Sequence, residues 1–115
     1  MEFRSEKILD VCIVHVFLTR ATLTKAVDFK DFLNVMIEEG NKKFIIDLAP
    51  CEYIDSTFLG AIVSVLKKLM GMKGDLRLVY NKDVPSLIFM LTRMDKVFKI
   101  YDDLTKAIES YNPIE

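Results

Sequence analysis

Tyr53-Ile54-Asp55-Ser56-Thr57-Phe58-Leu59-Gly60-Ala61-Ile62-Val63 is the stretch that decides the fold. Just upstream, Phe44-Ile45-Ile46-Asp47-Leu48 is a short apolar run with β-branched residues, the pattern of a buried strand. Downstream, Leu59, Ile62, Val63, Leu66 and Met70 recur at helical spacing, and Lys67 and Lys68 mark an end where positive charge suits the helix dipole. Asp55 and Ser56 stand at the junction, and either side chain can cap the helix by accepting from a free backbone N–H. Strand, loop and capped helix together place Ser56 at the positive end of a helix dipole. A hydroxyl there can take a phosphate without breaking the fold. Read alone, Asp-Ser-Thr before an apolar helix is a cap and nothing more.

Working outward, Val11 to Leu18 is almost wholly apolar and predicts a central strand, with Phe3 to Ile8 as a weaker partner across a turn at Asp10: an opening β-hairpin. Thr19 to Thr24 is a polar connection. From Ala26 to Glu39, Phe29, Phe32, Leu33, Met36 and Ile37 form one helical face, and Gly40 is placed to end it. Gly71 and Gly74 bracket a turn before a third strand, Leu76 to Tyr80. Asn81 or Asp83 can cap a further helix carrying Leu87, Met90, Leu91 and Met94, with Pro85 in its first turn. Val97 to Tyr101 reads as a short strand. Asp102 or Asp103 then caps a last helix with Leu104, Ala107, Ile108 and Tyr111 inward. The expected architecture is therefore α/β, one domain over residues 1–115. It has a mixed, mostly parallel sheet of about five strands, and about four helices layered over one side.

Composition narrows the function. A 51% hydrophobic content excludes disorder, and sixteen basic against seventeen acidic residues create no field for nucleic acid or an anionic membrane. No run approaches a membrane span and no leader pattern opens the chain, so a cytoplasmic protein is expected. Cys12 and Cys51 read as buried thiols rather than a disulfide or metal site, and His15, the one histidine, as a sheet residue without metal-site companions. Gly-rich phosphate cradles are missing. A Ser-His-acid triad would require mid-strand His15 to reach Ser56, and Asp47 and Asp55 read more simply as structural carboxylates than as a catalytic pair. Neither an enzyme, a cofactor nor a metal is expected.

The Phe44–Leu48 run followed by Tyr53-Ile54-Asp55-Ser56-Thr57-Phe58-Leu59-Gly60 resembles the strand and D-S-x-G-L-G segment of STAS domains, the anti-sigma factor antagonists. Gly74 to Val79 resembles that family's glycine turn and next strand, and Leu91 to Asp102 its L-T-G-L-D-x-x-F-x-I-Y-D ending. Phe58 and Arg93 stand where the pattern has glycine, and Leu18-Thr19-Arg20-Ala21 lacks the acidic residue of the family's partner-facing segment.

The resemblance implies a STAS-like fold and a non-catalytic binding module. Unphosphorylated, it would bind an anti-sigma factor that is also a serine kinase, and so free the sigma factor. Phosphorylation at Ser56, with Thr57 as second choice, would switch it off, and a phosphatase would reset it. Asp55, Ser56, Thr57, Phe58 and Leu59 would form the partner surface, although Phe58 fits a core position as well as an apolar anchor. An alternative that keeps the resembled fold is a STAS regulatory or scaffold subunit of a transporter or signalling complex, and one of another class is a small nucleotide-binding or hydrolytic domain.

Overall fold

The computed structural model describes residues 2–80, 93 and 96–112. The opening hairpin is present: β1 (Phe3–Ile8) pairs antiparallel with β2 (Val11–Val16) through a tight turn in which Leu9 adopts a positive φ of 56°. After the two-residue strand β3 (Arg20–Ala21) comes α1 (Leu23–Glu38). Gly40 follows it in the left-handed region, φ 102°, as its place in the sequence predicts. Then come β4 (Lys43–Asp47), β5 (Tyr53–Ile54), α2 (Ser56–Gly71), β6 (Asp75–Val79), β7 (Ile100–Tyr101) and α3 (Leu104–Tyr111). The main sheet runs β1-β2-β4-β6-β7, parallel throughout except at the hairpin. The helix expected over Asn81 or Asp83 to Met94 lies outside the described residues.

Four expectations are corrected. The sheet is covered on both faces, not one. Cys12, Val14, Phe44, Ile46 and Leu78 face α1 and α2, whereas Val11, Ile13, Ile45 and Val79 face α3. These strands are apolar at consecutive positions, so both their faces need cover. Second, α2 runs on to Gly71, and its inward stripe continues through Val65, Leu66 and Leu69, leaving Met70 64% exposed. Leu69 and Met70 fit the helical period equally well from Leu66, and packing selects the first. Third, the connection Thr19–Thr24 contains β3, which pairs parallel with β5 in a small second sheet. Fourth, Val97–Tyr101 reduces to the two residues of β7.

Two close approaches fix the ends of the layers. A side chain at Gly74 would put its Cβ 2.5 Å from the Lys42 carbonyl oxygen, so only glycine lets β6 start against β4 there. Arg93 sits at φ 61°, a left-handed conformation that glycine adopts without strain. This accounts for a glycine at that place in the resembled pattern.

Both cysteines are free and buried. Burial pushes the Cys51 thiol up to about 12 from an ordinary 9.0, and burial also raises the Tyr111 hydroxyl, which donates to the Phe44 carbonyl at 3.0 Å. Each group holds its proton longer when folded than when unfolded. Stability is therefore full below the unfolded value and declines as pH climbs through the window above it, by up to roughly 1.4 kcal/mol per pH unit for each group. Urea melts should give a flat midpoint from neutral pH to about 9, then a steady fall toward 12. A midpoint still level across that upper window would contradict this.

Candidate functional site

The site is assembled where two helices begin side by side. The small sheet β3–β5 brings them together: Glu52 N–H donates to Thr19 O at 2.9 Å and Asp55 N–H to Ala21 O at 3.0 Å, so the chain entering α2 is tied to the chain entering α1. Asp55 is the N-cap of α2, which settles the choice between Asp55 and Ser56. Its Oδ1 accepts from Phe58 N–H at 2.8 Å. Its Oδ2 accepts from Leu23 N–H at 2.9 Å, the first residue of α1. Thr22, the N-cap of α1, makes no side-chain cap bond, so the carboxylate of Asp55 serves both helices. Two orphan N–H groups are thus satisfied by one anion with both macrodipoles directed at it.

Ser56 and Thr57 are the first two residues of α2, and both are exposed. Ser56 lies outside the packed interior at the mouth of the helix, its backbone held by the cap on one side and the α2 core on the other. Phe58 and Leu59 are 0% and 2% exposed, which selects the core reading of Phe58 and takes Leu59 out of the expected partner surface. Phe58 stacks on Phe29 of α1 at 4.8 Å between ring centroids, so it joins the two helices and cannot offer an apolar anchor to a partner. The helical turn that exposes positions 56 and 57 points positions 58 and 59 inward. On the neighbouring rim, the Arg20 guanidinium lies 4.4 Å over the exposed ring of Tyr53. That pair, and the bond from Leu23 to Asp55, join residues over thirty positions apart, and nothing in local spacing announces them.

Removing the shared cap has a definite cost. Asp55→Ala should destabilise the fold by about 1–3 kcal/mol, the loss of a cap plus a second charged hydrogen bond. Asp55→Asn, with one acceptor oxygen for two donors, should lose about half of that. Urea unfolding of the three proteins checks the order; an alanine variant as stable as the parent would contradict the double cap.

The other titratable groups lie elsewhere. His15 lies between two carboxylates, its Nδ1 2.8 Å from Asp47 Oδ2 and its Nε2 2.7 Å from Glu6 Oε2, and packs on Phe17. It shares the sheet face of Val11 and Ile13, opposite the face that α2 covers. Asp47 also accepts from Ala49 N–H. His15 and Asp47 are thus bound into a sheet network, and neither they nor Asp55 converge on Ser56. Among the described residues no cluster of His, Cys, Asp and Glu could hold a metal ion, and no helix is long and apolar enough to cross a membrane.

The STAS domain family model matches residues 5–107. The chain belongs to the STAS domain family. A STAS relative in Thermotoga maritima, provisionally named an anti-sigma factor antagonist, is 35% identical over 92 residues, which are 80% of this chain and 78% of that protein. A crystal structure of a T. maritima anti-sigma factor antagonist, also provisionally named, superposes with a TM-score of 0.83 at 29% identity, covering 94% of this chain and 92% of the other. The anti-sigma factor antagonist SpoIIAA in its unphosphorylated form gives 0.81 at 14% identity, covering 98% of both chains. The Bacillus cell fate determinant SpoIIAA in its phosphorylated form gives 0.71 at 14% identity, covering 95% and 98%. At that identity the last two show the shared STAS fold alone.

Proposed function

We infer that this STAS domain is an anti-sigma factor antagonist of the phosphorylation-switched kind. Unphosphorylated, it binds an anti-sigma factor that is a serine kinase, and the sigma factor is freed; a phosphate on Ser56 ends the complex, and a phosphatase restores it. The observation that carries this reading is the exposed residue Ser56 at the first position of α2, next to an aspartate whose two oxygens are both engaged. A kinase can reach this hydroxyl without unfolding anything. The relatives bearing the antagonist name, and a neighbour of this fold that exists in a phosphorylated form, support the same reading.

The partner surface is formed by Ser56, Thr57 and the solvent side of Asp55. Phe58 and Leu59 hold its shape from beneath. Arg20, stacked on Tyr53, adds positive charge to the rim, so the partner presents an acidic or neutral contact there. Thr57 is the second acceptor. The test is a pull-down from native lysate with the tagged domain, identified by mass spectrometry. A small ATP-dependent serine kinase as the main companion is the expected result. Recovery of a membrane transporter instead would move the domain to a transporter's regulatory subunit.

A further inference from the structure

Among the described residues nothing packs over the outer side of α1. Its inner side, Ala26, Phe29, Leu33 and Ile37, enters the core. On the solvent side Leu23, Val27, Asp31 and Val35 follow each other at intervals of four, the ridge by which one helix packs into another. The three apolar members are 63%, 69% and 50% exposed. Beside this ridge a groove of about 400 Å³ opens between α1 and the start of β1. Phe3, Phe32 and Val35 line it with apolar surface, and its polar lining residues are all acidic: Glu2, Asp28 and Asp31. Lys25 pairs with Glu2 at 2.8 Å and also feels the charge of Asp28, but neither Asp28 nor Asp31 forms a direct ion pair among the described residues.

We propose that this groove is a docking surface for a basic amphipathic helix of another protein, one that lays an apolar side chain between Phe3, Phe32 and Val35 and sets lysine or arginine against Asp28 and Asp31. The charge of the rim selects the occupant. An apolar floor bounded by three carboxylates, with Lys25 as the one cation paired at the rim, attracts a cationic amphipathic segment and repels an anionic lipid surface. A second copy could offer Lys67, Met70 and Lys73 from the far end of α2, which are also exposed. Such a contact would join unlike surfaces, and unless its rotation closed a ring it would grow into open chains. A partner helix needs no such growth. The lining of the groove includes none of Asp55, Ser56 or Thr57.

The probe is a synthetic amphipathic helix of leucine and lysine, titrated into the isotope-labelled full chain by NMR, with a leucine–glutamate peptide of the same pattern as control. Amide shifts should concentrate at Phe3, Asp28, Asp31, Phe32 and Val35, with the lysine peptide at least about tenfold tighter. The combined D28K/D31K variant should lose about tenfold in affinity. Val35→Asp separates docking from bare charge attraction: it adds a negative charge yet removes apolar contact, so docking predicts weaker binding and charge attraction predicts tighter. Tighter binding to Val35→Asp, equal affinity for the two peptides, or shifts elsewhere would overturn the proposal. So would a concentration-dependent self-association in sedimentation that D28K/D31K abolishes, because it would assign the groove to a second copy. Unchanged thermal melts of both variants confirm that they are folded.

Discussion

Ser56→Asp is expected to weaken the complex with the proposed anti-sigma factor by about tenfold to a thousandfold, while the melting temperature moves by no more than a few degrees. The two halves of this result have separate causes. Within the folded domain, position 56 is the first residue of α2, where the helix dipole favours a negative charge by about 0.3–1 kcal/mol. The neighbouring carboxylate of Asp55 opposes it, but that carboxylate already accepts from both helix starts and is held in place. The opposing terms are of similar size, so the fold is nearly indifferent. In the complex there is no such compensation. A charge placed in a packed contact must be stripped of water, and a true phosphate, with about −1.5 to −2 charges, must fit as well. Ser56→Ala should bind like the parent. An aspartate variant that binds equally well, or that unfolds, would contradict the switch.

Phe58→Ala should be the most damaging single change at the site, costing about 3–5 kcal/mol. The ring is fully buried and stacked on Phe29, which in turn meets Phe3 at 5.1 Å, so its removal opens a cavity at the seam between α1, α2 and β1. Against a total stability of about 5–15 kcal/mol, this leaves a protein close to unfolding at growth temperature. The loss should appear in urea or thermal melts. At low temperature, where the variant is still folded, its affinity for the partner should be close to that of the parent, because Phe58 offers no surface to it. A stable variant with lost binding would restore Phe58 to the interface.

Much of this was legible in the residues. Val11–Val16 and Phe44–Asp47 are mostly apolar, rich in β-branched residues and of strand length, and a buried sheet suits them. The alternation of strands and helices then leaves few topologies. Asp55 was readable as a cap, but Ser56 was an equal candidate until the bond from Phe58 N–H chose between them. What sequence could not show are relations between distant segments. The double duty of Asp55 depends on Leu23, and the pairing of Arg20–Ala21 with Tyr53–Ile54 involves strands too short to have a period. The cover of the second sheet face by α3 required knowing where that short helix returns. Phe58 looked as suitable for a partner as for the core, because helical period alone does not say which side the neighbouring helix occupies.

The central claim is that one exposed hydroxyl carries the switch. It is tested most directly by incubating the domain with ATP and the kinase recovered with it, then measuring intact mass and mapping the modified peptide. The expected result is the mass of a single phosphate on the peptide containing Ser56, and none on Ser56→Ala. No added mass on the parent protein, or a phosphate that persists in the alanine variant, would contradict the claim.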